Sequence, residues 1–155
     1  MPKFVIRAAT LDDVTTITEF NLRLAEETER VSLDRELVTQ GVTALIRERS
    51  RGNYWVACSS GDTIIGQLMH TREWSDWRNG DIWWIQSVYV GKDHRRRGVF
   101  TQLHSHLKAL ATSDPGVVGL RLYVEFDNLA ARTTYQRLGL HTARYQVMED
   151  LFSSS

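Results

Sequence analysis

The sequence predicts a mixed α/β domain built around one sheet. Three observations carry that reading. The segment 82–90 is apolar on both alternating faces, the pattern of a strand covered on both sides, and 117–124 reads as a second buried strand with Leu120, Leu122 and Val124 on one face. Segments with apolar residues at helical spacing alternate with them and can supply the cover. No Pro-, Gly- or Ser-rich linker divides the chain, whose two prolines are Pro2 and Pro115. A single domain over residues 1–152 is expected, with residues 153–155 as a frayed end.

The elements follow in order. Phe4 to Ala8 reads as a short strand. Thr10 and Asp13 have the spacing of a capping box, and Val14, Ile17, Phe20 and Leu24 recur at helical spacing behind it, giving a helix to about Ala25. Glu26-Glu27-Thr28-Glu29-Arg30 then breaks the apolar pattern. Asp34 can cap a second helix with Val38, Val42, Leu45 and Ile46 inward. Tyr54, Val56 and Cys58 alternate as a strand. Ser60-Gly61-Asp62 makes a turn, and Ile64 to Thr71 is the returning arm of a hairpin. Trp74 to Asp81 is polar apart from two tryptophans and reads as a loop. After the central strand at 82–90 comes a basic loop, Gly91 to Arg97. A third helix follows, with Val99, Leu103, His106, Leu107 and Leu110 in register. Asp114-Pro115-Gly116 turns into the second buried strand. Asn128 to Leu138 is a fourth helix with Ala131, Tyr135 and Leu138 inward and Gly139 just past its end. Ala143, Tyr145 and Val147 suggest a last strand.

Composition narrows the function. The 155 residues hold 19 Lys+Arg against 19 Asp+Glu, and 42% are hydrophobic. That balance suits a globular fold and argues against disorder and against a protein basic enough to coat nucleic acid. No apolar run nears the roughly 20 residues that span a bilayer, and the start lacks the apolar stretch of a signal peptide. Cys58, the one cysteine, cannot form an internal disulfide or a thiolate zinc cage. It reads as an inert buried thiol in a cytoplasmic setting. The five histidines show no metal-ligand spacing, so no metal is expected.

The sharpest local signal runs from Val88 to Phe100. A buried strand enters Gly91-Lys92-Asp93-His94-Arg95-Arg96-Arg97-Gly98, and that loop opens a helix. Free N–H groups at a helix start, a glycine that permits close approach and a cluster of cations all favour a phosphate. Neither the P-loop order nor the dinucleotide glycine fingerprint is present.

Here the chain resembles the GCN5-related N-acetyltransferase (GNAT) family. That family's hallmark is a strand, then Gln/Arg-x-x-Gly-x-Gly/Ala at a helix start, and Arg95-Arg96-Arg97-Gly98-Val99-Phe100 stands in that place. A second family segment, Asn-x-x-Ala-x-x-x-Tyr-x-x-x-Gly-Phe after a strand, is matched by Asn128, Ala131, Tyr135, Gly139 and Leu140. The opening Ile6-Arg7-Ala8-Ala9-Thr10 with Asp13 is similar to the usual start. The resemblance implies a twisted, mostly antiparallel sheet whose two central parallel strands splay apart, with about four helices. It implies acetyl-CoA as co-substrate. Its pyrophosphate would lie on the loop from Arg95 to Gly98 and the first helical residues Val99 and Phe100. Its pantetheine would pair with the main chain of Val88, Tyr89 and Val90, with Asn128 and Ala131 near the cofactor. Tyr135 would protonate the departing thiolate, a task suited to a phenol with an ordinary pKa of about 10.

Two departures stand out. Phe100 replaces the motif's final small residue, and either narrows the phosphate site or points into the core. The strand 82–90 holds no Asp or Glu where many relatives carry a catalytic glutamate. The general base is therefore open among Glu26, Glu27, Glu73, Asp81, Glu125 and a water chain held by Gln86 and Ser87. An ammonium of pKa about 10.4 must lose a proton before it attacks. Trp74, Trp77, Trp83 and Trp84 crowd one stretch. They read either as an amine or aromatic cage, with Glu26, Glu27, Glu73, Trp74 and Trp84 as substrate-binding residues, or as core and subunit interface, which would make a homodimer natural. The expected partners are acetyl-CoA and an amine acceptor on a small molecule or protein, with no nucleic acid and no membrane. The alternative is a non-catalytic acyl-CoA-binding sensor of the same fold. Arg95 to Arg97 alone are too few cations for a strong nucleic-acid site.

Overall fold

Five strands form one sheet in the order β1-β2-β3-β4-β5. The computed structural model describes residues 4–153. The strands are β1 (Phe4–Ala8), β2 (Gly52–Ser59), β3 (Ile64–Ser75), β4 (Gly80–Val90) and β5 (Val117–Leu122). The helices are α1 (Val14–Glu29), α2 (Arg35–Arg47), α3 (Val99–Ser113) and α4 (Leu129–Arg137). Neighbours are antiparallel from β1 to β4, and β4 and β5 run parallel. The chain divides into two compact units, Met1–Tyr123 and Val124–Ser155. The expected opening at residues 1–3 and the last two residues of the expected tail lie outside the described residues.

The first unit holds the whole sheet. Period-two alternation sends its side chains to two faces. On one face Ala57, Leu68, Trp83 and Ile85 pack with Val99, Leu103 and Leu107 of α3. On the other, Tyr54, Val56 and Cys58 pack with Ile17 of α1 and Val42 and Leu45 of α2. Asp34 caps α2 as its sequence demands, accepting from the Glu36 N–H at 3.0 Å. Asp13 accepts from the Thr10 N–H at 2.7 Å, and Arg7 grips the same carboxylate at 2.8 and 3.0 Å. That guanidinium holds the Asp13 pKa below the usual carboxylate range.

Two expectations need correction. Residues 74–81 are not a loop: β3 and β4 extend into them, with pairs at Trp74↔Asp81 and Ser75↔Gly80, and only 76–79 turn. Ladder hydrogen bonding ignores side-chain polarity at an exposed hairpin end, so the polar run did not stop the strands. The last strand expected at Ala143, Tyr145 and Val147 is absent, and residues 139–153 carry no regular element. Alternation defines a face but supplies no ladder partner.

The second unit contains α4. The Asn128 side chain accepts from the Ala131 N–H at 3.1 Å and so caps the helix. Gly139, at φ +99°, ends the helix, with the Leu140 N–H donating to the Tyr135 carbonyl at 3.0 Å.

Candidate active site

The site begins with a gap in the sheet. β5 pairs with β4 from Asp81 to Ile85 and stops at Leu122. β4 runs on to Val90, held on its other side by β3 through Gln86↔Met69, Tyr89↔Gln67 and Val90↔Gly66. Its main chain beyond Ile85 is therefore open toward β5, an edge on which an extended ligand can pair. The ladder slips between Gln67 and Met69, where Ser87 bulges at φ +51°. A non-glycine residue in that region needs outside support.

Buried polar groups supply the support. The Gln67 Nε2 donates to the Ser87 carbonyl at 3.0 Å and to the Asn21 Oδ1 at 2.7 Å. The Asn21 Nδ2 donates to the Tyr54 hydroxyl at 2.9 Å. Burial raises the Tyr54 pKa, against the pull of its hydrogen bond from Asn21. Residues of α1, β2 and β3 thus form a hydrogen-bonded chain that ends on the bulge. Gln67 is fully buried and its Oε1 has no partner. Sequence reading missed Asn21, Tyr54 and Gln67. The available signal was a glutamine inside the apolar run of β3.

Past Val90 lies the basic loop. Gly98 caps α3 at φ +80°, a conformation natural to glycine, and a Cβ added there meets nothing within 4 Å. Lys92, Arg96 and Arg97 are exposed. An open backbone cradle, a helix start and cations fit a diphosphate. Phe100 leans toward the α3-side core, with its ring 6.1 Å from that of His104. Of its two sequence alternatives, packing is the one observed. Val99 is buried.

Arg95 does something else. Its Nη2 donates to the Glu27 Oε1 at 2.7 Å and its Nε to the Val90 carbonyl at 2.9 Å. The Tyr89 hydroxyl donates to the Glu27 Oε2 at 2.6 Å. Tyr89 and then Arg95 hold the Glu27 pKa below its ordinary value, while burial and the Glu27 carboxylate push Tyr89 up. Leu24, Thr28 and Val88 join these residues around a pocket of about 200 Å³. Glu27 is thus a clasp between the end of α1 and the loop, and a weak candidate for a base. Glu26 beside it is exposed.

A larger groove of about 660 Å³ runs between α2 and the sheet. Val38, Val42, Leu45 and Met69 make its walls, and Asn21 and Tyr54 bring it to the hydrogen-bonded chain that holds Ser87. Thr71, also on its lining, accepts from the Gln86 Nε2 at 2.7 Å.

The tryptophans do not form one cage. Strand alternation sends Trp83 into the core under α3 and Trp84 to the opposite face. The Trp84 Nε1 donates to the Glu73 Oε1 at 2.6 Å, Arg121 pairs with Glu73 at 3.3 Å, and Trp84 lies 4.6 Å from Tyr123 ring to ring. Of the five expected substrate-binding residues, Glu73 and Trp84 are brought together. Trp74 and Trp77 stand apart from them, 63% and 86% exposed at the hairpin end. In the second unit, Ala131 and Tyr135 lie half-buried on α4, and burial raises the Tyr135 pKa.

The model of the "Acetyltransferase (GNAT) family" matches residues 16–140. The chain belongs to the GNAT acetyltransferase family. Among solved structures, this GNAT protein is similar to a possible acetyltransferase from Clostridium difficile 630. Identity is 42%, coverage is 99% of this chain and 100% of that one, and the TM-score is 0.91. A probable acetyltransferase matches at 20% identity over 97% and 99% of the chains, with a TM-score of 0.85. A predicted acetyltransferase from Clostridium acetobutylicum, solved with acetyl-CoA, shares the GNAT fold at 15% identity over 95% and 96%, with a TM-score of 0.78. Among curated proteins no match reaches significance. In the described residues of this GNAT chain no three potential metal ligands gather, and no helix is long and apolar enough to cross a membrane.

Proposed function

We propose that the protein is an acetyl-CoA-dependent N-acetyltransferase that moves the acetyl group to a primary amine by direct attack. The observation that carries this is β4 running past the end of β5 and feeding the loop and helix start at Gly98. Acetyl-CoA supplies an activated thioester when bound. The main chain at Val88 to Val90 pairs with its pantetheine arm, and the α3 start with Arg96 and Arg97 holds its diphosphate. Arg95 acts through the loop, because its guanidinium is already bound to Glu27 and Val90. By their register in the family motif, Asn128 and Ala131 stand near the cofactor. Tyr135 gives its proton to the departing thiolate, and a raised pKa keeps that proton in place until a strong base develops.

Calorimetry with acetyl-CoA and a thiol-release assay over an amine panel test the reading. Binding and amine-dependent release of CoA are expected. Tyr135→Phe should lower turnover about 100-fold or more with little change in donor affinity, and unchanged turnover would remove Tyr135 as the acid. The lack of a carboxylate on residues 82–90 favours one second reading, a non-catalytic acyl-CoA sensor. Binding without release from any amine would establish it.

A further inference from the structure

The groove under α2 combines features that select an acceptor. Its walls are apolar and none of its lining residues is an acid. Arg51 is the one charged residue in that lining, and Glu48 already pairs with it. One end reaches Asn21 and Tyr54, which are bonded to each other, and Gln67 links Asn21 to the Ser87 carbonyl next to Val88. Its volume of about 660 Å³ suits a small organic molecule.

We propose that this groove is the acceptor pocket and that it takes a mono-amine with an apolar body, the amine toward Asn21 and Tyr54 and the body along α2. The proposal rests on the N-acetyltransferase reading. The groove is open along one side, yet a second ammonium on the body loses hydration against its apolar walls and finds no carboxylate there to compensate. The expected acidic cage of Glu26, Glu27, Glu73 and the tryptophans would have favoured polycations, but none of those residues lines this groove. Burial also assists the chemistry. Desolvation disfavours the ammonium and lowers the acceptor's pKa, which lightens a proton removal that no carboxylate on residues 82–90 performs.

Gly41 gives a clean handle. It lies within α2 and lines the groove, and a Cβ added there meets nothing within 4 Å. Gly41→Leu therefore starts its side chain in open space on the groove lining.

The test compares hexylamine with 1,6-diaminohexane, equal in carbon chain and different by one charge. Acetyl-CoA is the donor and thiol release the readout. Hexylamine should show a kcat/KM at least about tenfold higher. Gly41→Leu should raise the hexylamine KM about tenfold with acetyl-CoA affinity unchanged by calorimetry. A diamine used as well or better overturns the proposal, as does an unchanged hexylamine KM in the variant. Amide shifts on adding hexylamine form an independent arm. Shifts at Gly41, Val42 and Met69 are expected, and their absence overturns the groove. Those shifts without CoA release from any amine would sink the transferase reading while supporting the groove's preference.

Discussion

His70 is a basic side chain held where a positive charge has no welcome. It is 1% exposed on β3, stacks on Trp83 at 4.1 Å, and accepts from the Trp55 Nε1 through its Nδ1 at 3.1 Å. That bond places its proton on Nε2. The Arg72 guanidinium lies 5.8 Å from the centre of the same Trp83 ring, and His106 meets Trp55 edge-on. Burial first, and Arg72 second, depress the His70 pKa from 6.5 to about 4. Below pH 6.5 the unfolded chain binds a proton that the folded chain refuses, so stability falls as pH falls toward 4. A shift of that size corresponds to about 3 kcal/mol across the window. His70→Asn, which can still accept from Trp55, should flatten this dependence in urea melts between pH 4 and 7. An unchanged slope would assign it to His104 and His106, which burial also lowers, or to the carboxylates of Asp13 and Glu27, which their partners hold low. The sequence placed His70 on a strand but did not show its burial. That depends on α3 closing over this face, a contact between segments far apart in the chain.

Helix ends show where local chemistry was legible and where it was not. The Asp34 cap, the Gly98 start and the Gly139 stop each follow from residue type. The end of α1 does not. Three glutamates fill its last turns, against the helix dipole, yet the helix runs past the expected Ala25 to Glu29. Tyr89 and Arg95 meet Glu27 there, and both come from beyond the local sequence. The hydrogen-bonded chain behind Ser87 was hidden for the same reason, since Asn21, Tyr54 and Gln67 come from three elements. Within α2, Gly41 is a weak helix former with open space around it. Gly41→Ala should raise stability by about 0.5–1 kcal/mol in denaturant melts. A loss of stability there would mean that the helix is held by packing the geometry does not show.

At the scale of the molecule, a formal net charge of zero conceals local structure. The exposed Lys92, Arg96 and Arg97 stand together at the start of α3, while Arg95 is neutralised by Glu27. With no net charge to steer an anion, acetyl-CoA attraction must come from that patch. Affinity measured by calorimetry should therefore weaken severalfold between 50 and 500 mM salt, roughly the range over which the Debye length drops below the size of the patch. Arg96→Ala with Arg97→Ala should flatten the response. Equal salt sensitivity in that double variant would move the anion site elsewhere. The order of the elements from β1 to α4 and the basic loop that opens α3 were readable at this scale because each is written in contiguous residues. The acceptor groove was not, because α1, α2, β2 and β3 each contribute to its lining.

The hydrogen-bonded chain from Tyr54 through Asn21 and Gln67 to the Ser87 carbonyl has a thermodynamic consequence. It touches the proposed acceptor groove through Asn21 and Tyr54, and it holds the bulge from which the proposed donor edge begins. On that placement, whatever either substrate does to tighten or loosen the chain is felt by the other. By reciprocity the factor by which donor alters acceptor affinity equals the factor by which acceptor alters donor affinity. The proposal thus makes the two substrates linked ligands of one hydrogen-bonded chain, each in its own groove.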